Sequence, residues 1–140
     1  MEITTERFGI IEINEDEIIA FPQAIPGFEQ ERRFVILQPN KEIPFSFLQS
    51  VGNGRISFII TNPFWFYKDY EFDLSPSTLE QLKVQEKENI MVWSIVTIKD
   101  DIQQATLNLQ APIVINHSEK LGMQLILHET EYHTKHKLLL

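Results

Sequence analysis

The chain has 140 residues, a formal net charge of −8, no cysteine and 43% hydrophobic residues. This length predicts a single domain over residues 1–140, and the lack of cysteine excludes disulfides, thiolate metal ligands and cysteine nucleophiles. The acidic balance argues against direct nucleic-acid binding. The absence of a signal peptide and of any ~20-residue apolar run predicts a cytoplasmic protein without a membrane partner.

Apolar segments bounded by turn residues predict a mainly β protein. In chain order the predicted strands are residues 2–4, 9–13, 18–21, 34–37, 45–50, 56–61, 90–98, 105–109, 113–115 and 123–127. Their spacing predicts a small antiparallel β-barrel or sandwich. One short helix is predicted over residues 75–83. It begins either with Ser75 as N-cap and Pro76 in the first turn, or with a capping box of Ser77 and Glu80.

Two further segments have an ambiguous pattern. In the aromatic run of residues 64–67, strand alternation places Phe64 and Phe66 on one face and Trp65 and Tyr67 on the other. We expect both faces to be covered, although an exposed Trp65 and Tyr67 would form a platform for a sugar or a protein. The tail of residues 131–140 loses alternation. It is predicted to be a loose helix that docks through residues 138–140, or a frayed end.

Catalytic and cofactor motifs are missing from the sequence. There is no Gly-x-Ser-x-Gly elbow and no glycine-rich phosphate loop before a helix. His133 and His136 are spaced so that they could share a helix face, but no carboxylate at a known ligand spacing supports a metal site. Paired acids are common in an acidic chain, so Asp100 and Asp101 are interpreted as a turn after a strand. The prediction is a binding protein that is not an enzyme and has no metal or cofactor.

Charge is distributed unevenly along the chain. Residues 1–31 contain eight acids and one base, Arg7, whereas residues 32–140 contain twelve acids and eleven bases. The acidic N-terminal third can accelerate an encounter with a basic protein. The alternative is that these acids only keep a small protein in solution.

Three proline-centred corners occur in a fixed order: Phe21 to Phe28, Thr61 to Phe64, and Thr106 to Asn116 around Pro112. In this order, with the apolar strand from Met91 to Ile98, they resemble the FliW family of flagellar assembly factors over nearly the whole chain. The resemblance implies a non-enzymatic switch with two protein partners, flagellin and the RNA-binding translational regulator CsrA. It implies that CsrA is bound when flagellin has been exported. Binding beside the RNA surface would then relieve repression of flagellin translation non-competitively.

The resemblance leaves the contact residues open, and two exposed loops are the candidates. The first is the loop of residues 69–73, in which Tyr70 would be an amphipathic anchor beside carboxylates. The second is the hairpin tip at residues 99–102, in which Ile102 would be hard to bury. The predicted partner-binding residues are Asp69, Tyr70, Glu71, Asp73, Asp100, Asp101 and Ile102. The alternative function is a carbohydrate- or small-ligand-binding β module that uses Trp65 and Tyr67.

Overall fold

A computed structural model describes residues 1–138 and confirms a mainly β fold. Within this range the only α-helix is α1 (Pro76–Gln81), and short 3-10 turns lie at Glu15–Glu17, Pro63–Trp65, Lys87–Asn89 and Ile102–Gln104. The strands are β1 (Glu2–Thr5), β2 (Gly9–Glu12), β3 (Ile19–Ala20), β4 (Arg33–Leu37), β5 (Ser46–Ser50), β6 (Ser57–Thr61), β7 (Ile90–Thr97), β8 (Thr106–Leu107), β9 (Ile113–Asn116), β10 (Leu121–Gln124) and β11 (His136–Lys137).

Seven strands close into a barrel in the order β3, β4, β5, β6, β7, β9, β10. All neighbours are antiparallel except β10 and β3, which are parallel where Leu121 lies opposite Ala20. Strand β7 closes the barrel because its first half pairs with β9, whereas its end pairs with β8. The predicted choice between barrel and sandwich is therefore resolved as a barrel.

Strand alternation fills the barrel interior with apolar side chains. Phe34, Leu48, Ile60 and Ile113 are fully buried there, and the ring of Phe21 packs edge-on against Phe34 with 5.1 Å between centroids. The residue that follows an inward-facing one on a strand points outward. Val35, which follows Phe34, therefore belongs to a different apolar cluster, on the outside of the barrel. The barrel wall is therefore apolar on both sides wherever another segment covers it.

Two segments cover the outside of the barrel. The hairpin of β1 and β2 packs Ile3 and the nearby Ile13 against Val35 of β4. Its far end lies against the loop after β5, where the Glu6 amide donates to the Gly54 carbonyl at 2.9 Å. The second segment is the tail. Its Leu138 joins a cluster on the outer face of β7 and β8, whose other members are Phe45, Tyr70, Val96, Ala105, Leu107 and Leu109.

The helix begins as the first of the two alternatives predicted. The Ser75 hydroxyl accepts a hydrogen bond from the Thr78 amide at 3.1 Å, and Pro76 occupies the first turn. Leu82, just after the helix, is 2% exposed, and its carbonyl accepts a hydrogen bond from the Asn116 side chain of β9 at 2.8 Å, which ties the helix end to the barrel. Packing is needed here because a six-residue helix is unstable alone.

The prediction of a helical or frayed tail is wrong for the part of the tail that the structure describes. His136 and Lys137 form β11, which pairs with β8, and the Leu138 amide donates to the Ala105 carbonyl at 3.0 Å. The tail forms a strand because β8 presents an unpaired edge above an apolar cluster that receives Leu138. Leu139 and Leu140, also predicted to dock, lie outside the described residues.

Candidate partner-binding surface

The two tail histidines, His133 and His136, pack against each other. Within residues 1–138, no cluster of three or more His, Cys, Asp or Glu side chains is arranged to hold a metal ion. The rings of His133 and His136 stack with centroids 3.8 Å apart, and His136 Nε2 accepts a hydrogen bond from the His133 amide at 3.0 Å. Burial, and secondarily the charge of His133, lower the pKa of His136. His136 is thus part of the packing of the tail.

Tyr70 is a core residue, and the prediction that it is an exposed anchor is wrong. Its side chain is 3% exposed, and its hydroxyl donates to the Leu109 carbonyl at 2.7 Å. The rings of Phe64, Phe72 and Tyr132 surround it at centroid distances of 5.7, 5.4 and 4.8 Å. Burial, and to a lesser extent Tyr132, raise the pKa of the Tyr70 phenol above its ordinary value. The side chain joins its loop to the β8 segment and is inaccessible to a partner.

The aromatic run is a 3-10 turn and not a strand. The Asn62 side chain accepts from the Phe64 amide at 2.9 Å and caps the turn Pro63–Trp65. The predicted two-faced alternation is therefore lost, and the expectation that both faces are covered is wrong. Phe64 remains 40% exposed and Trp65 58% exposed. The Asn-Pro dipeptide, a common turn signal, could have indicated this from sequence.

Trp65 and Tyr67 do not form a paired exposed platform. Tyr67 is half-buried, its hydroxyl donates to the Lys137 carbonyl, and its ring lies edge-on to His136 with centroids 5.4 Å apart. Burial raises the pKa of Tyr67. The exposed aromatic surface therefore consists of Phe64 and Trp65. Both rings belong to the same 3-10 turn, and that of Phe64 lies beside the buried Tyr70.

The carboxylates of the first predicted loop remain exposed. Asp69, Glu71 and Asp73 all lie at the surface. The Glu71 amide donates a hydrogen bond to the Tyr132 hydroxyl at 3.2 Å, which ties the loop to the tail. Glu71 and Asp73 line a groove of about 530 Å³, whose other wall is the segment of residues 125–130. The structure thus brings two of the predicted residues, Glu71 and Asp73, together with a segment that was not among the predicted site residues.

The second predicted loop is a separate exposed tip. Asp101 caps the 3-10 turn Ile102–Gln104 by accepting from the Gln103 amide at 3.0 Å. Ile102 is 45% exposed, as its position between polar neighbours predicts, and Asp100 is also exposed. None of these residues lines the groove that contains Glu71 and Asp73. The predicted site residues therefore form two surfaces.

A cavity of about 380 Å³ at the mouth of the barrel was not predicted. Its walls include Ile36, Met91 and Trp93, and its rim includes His117 and Lys120. Trp93 packs against the barrel core and is partly buried. The Lys120 ammonium lies 3.2 Å from His117 Nδ1 at the rim. Sequence alternation identifies inward-facing residues but does not show where the interior is left unfilled.

Among residues 1–138, no helix has both the length and the apolar character required to cross a bilayer. The chain is therefore a closed β-barrel protein that exposes aromatic and acidic loops. The family described as FliW protein matches residues 2–138. The chain belongs to the FliW family of flagellar assembly factors.

Individual relatives agree over nearly the full length. Flagellar assembly factor FliW of Alkaliphilus metalliredigens is 44% identical over 140 residues, covering 99% of this chain and 86% of the relative. FliW of Geobacillus thermodenitrificans is 45% identical over 138 residues, covering 99% and 95%. A crystal structure of the flagellar assembly factor FliW superposes with a TM-score of 0.94 at 44% identity, covering 100% of this chain and 98% of the other.

Proposed function

We propose that this chain is a non-enzymatic, cytoplasmic regulator that binds flagellin and, once flagellin is released, binds CsrA. Binding to CsrA relieves repression of flagellin translation without occupying the RNA surface. The observation that carries the proposal is the family match over residues 2–138. It is supported by a structural match to a flagellar assembly factor with a TM-score of 0.94.

The charge of the chain supports a basic protein partner. Its net charge is −8, and Asp69, Glu71 and Asp73 are exposed beside the aromatic turn at Phe64 and Trp65. Exposed aromatic rings beside carboxylates suit an interface with an apolar centre and a charged rim. An acidic protein docked next to an RNA site would also repel phosphates. We therefore expect the chain to have no RNA affinity of its own.

A gel-shift assay with flagellin leader RNA tests the regulatory proposal. The chain alone should produce no shift, and its addition to a preformed CsrA–RNA complex should release RNA. Prior addition of flagellin should prevent that release, because flagellin holds the chain. Direct RNA binding at moderate salt, or a CsrA–RNA complex that is indifferent to a large excess of the chain, would refute the proposal.

Charge reversal identifies which of the two surfaces binds CsrA. Glu71→Arg should weaken CsrA binding by a factor equivalent to about 1 kcal/mol for a rim charge, and by more if the contact is buried. Glu88→Arg is the matched control, because Glu88 is exposed and lies outside the groove. Unfolding temperatures should remain close to that of the unchanged chain. If Glu71→Arg binds normally while Ile102→Glu does not bind, the hairpin tip is the site.

A further inference from the structure

The groove beside Glu71 and Asp73 runs along an extended segment of the chain. Residues 125–127 continue β10 and pair with residues 110–112. The Leu125 amide donates to the Pro112 carbonyl at 2.9 Å, and the Leu127 amide donates to the Gln110 carbonyl at 2.8 Å. The opposite wall of the groove is formed by residues 71–75, which are irregular, and by Thr78 of α1.

The segment has an unpaired main-chain edge at Ile126. In antiparallel pairing, alternate residues direct their amides to opposite sides of the strand. The amide of Ile126 therefore points away from residues 110–112, and within residues 1–138 it donates to no acceptor. Ile126 is also 47% exposed, a large fraction for an isoleucine on a strand. Such an edge can accept a further strand from another chain.

The side chains of the groove select the charge of an incoming strand. Glu71, Asp73 and Glu129 line it together with one histidine, and none of its described lining residues is lysine or arginine. Ile126 and the half-buried Leu125 and Leu127 provide apolar surface between these carboxylates. An acidic strand would be repelled here, whereas alternating basic and apolar residues would meet both kinds of surface.

We propose that this groove binds an extended, basic segment of a partner protein, which adds as a strand at Ile126 and places lysine or arginine side chains against Glu71, Asp73 and Glu129. This inference rests on the proposed function in one respect, namely that the partner is a basic protein, and it specifies where and in what conformation that partner binds. It also explains why Ile126 remains exposed on a strand that is otherwise paired.

Peptide titration followed by amide NMR tests the inference. The probe is acetyl-Lys-Val-Lys-Val-Lys-Val-Lys-amide, and the matched control replaces every lysine by glutamate. The basic peptide should shift the amide resonances of residues 71–73 and 125–130 and slow hydrogen exchange at the Ile126 amide. Equal binding of both peptides, no binding of the basic one, or shifts confined to other residues would overturn the inference.

Matched variants separate the charge from the strand edge. Replacing Glu71, Asp73 and Glu129 by their amides should weaken binding of the basic peptide about tenfold, which is about 1.4 kcal/mol for the three charges together, because ion pairs at an exposed surface are individually weak. The control replaces three exposed glutamates outside the groove by glutamine, at Glu86, Glu88 and Glu119. Equal weakening by both triple variants would show a nonspecific field effect and overturn the site.

The main-chain contribution is tested at Ile126 itself. Ile126→Pro removes the amide donor without breaking an existing hydrogen bond, whereas Ile126→Val retains it. The amide spectrum of each variant establishes that the barrel is intact. The peptide should bind Ile126→Val and lose most of its affinity for Ile126→Pro. Equal affinity for the two folded variants would overturn strand addition.

Parallel binding assays with CsrA and flagellin keep the two proposals distinguishable. If the groove triple variant binds both proteins normally and the basic peptide fails to bind the unchanged chain, the groove inference is wrong and the proposed function stands. If the peptide binds in the groove but neither protein binds the chain, the proposed function is wrong and the groove remains a site for a different basic partner.

Discussion

Substitution of Gly122 by alanine is expected to destabilise the barrel by overpacking its interior. A Cβ atom at Gly122 would lie 2.7 Å from Cζ and 2.9 Å from Cε1 of Phe21. The shorter contact is about 0.8–1.3 Å inside the optimal separation of ~3.5–4.0 Å for carbon atoms. Phe21 is fully buried and packs edge-on against Phe34, so its ring has no free space into which to move.

The expected cost follows from that geometry. One extra methyl in a filled core reduces the free energy of unfolding by about 1–3 kcal/mol, which for a chain of this size corresponds to a fall in Tm of ~3–10 °C. The assay is urea and thermal unfolding followed by circular dichroism. Gly52→Ala is the matched control, because its Cβ would meet nothing nearer than Glu31 Oε2 at 4.0 Å. The control should be neutral or slightly stabilising.

A double-mutant cycle tests the reason as well as the size of the effect. Phe21→Leu alone should destabilise, but it removes ring atoms from the space that the new methyl needs. The double variant should therefore lose less stability than the sum of the two single variants, with a coupling of about 0.5–3 kcal/mol. Unchanged stability of Gly122→Ala, or strict additivity with Phe21→Leu, would refute the close approach of Gly122 to the Phe21 ring.

Three further predictions concern the Tyr70 loop, the tail and the partner. Tyr70→Phe removes the hydroxyl that donates to the Leu109 carbonyl at 2.7 Å. Urea unfolding should therefore show a free energy of unfolding lower by about 1–2 kcal/mol, while the affinity for CsrA stays unchanged. Weaker CsrA binding at unchanged stability would show that Tyr70 is a contact residue after all. Because the pKa of His136 is lowered from 6.5 in the folded chain, the unfolded chain takes up this proton first, and stability should fall as the pH drops below about 6.5. His136→Gln should flatten that part of the stability profile, and an identical profile for the variant would exclude His136 as its source. The association rate with CsrA should fall as salt rises, because exposed charges are screened beyond ~8 Å at physiological ionic strength, while dissociation changes less; stopped-flow rates independent of salt would contradict electrostatic steering.

Local sequence patterns were sufficient to predict most of the secondary structure. Alternation depends only on residues two apart, so strands such as β5 and β6 follow from their own side chains. For the helix start, local sequence left two alternatives, Ser75 and a capping box of Ser77 and Glu80, and the hydrogen bond from the Thr78 amide to the Ser75 hydroxyl shows which one forms. The acidic balance and the exposure of Ile102 also required nothing beyond composition and immediate neighbours. The FliW resemblance, carried by the order of the proline corners, was confirmed by the family match.

Only the tertiary structure decided which of the neighbouring aromatic residues are exposed. Tyr70 is covered by rings that include Tyr132 of the tail, and its hydroxyl donates a hydrogen bond to the Leu109 carbonyl, 39 residues later. Trp65, five residues before Tyr70, remains exposed. The tail became a strand because β8 offers it an edge, and the barrel closed because β7 pairs with β6 along one edge and with β9 along the other. Likewise, the groove at Ile126 exists because residues 71–75 stand beside β10 without pairing with it. These outcomes depend on contacts between distant segments, whose energies are not encoded in the pattern of any one segment.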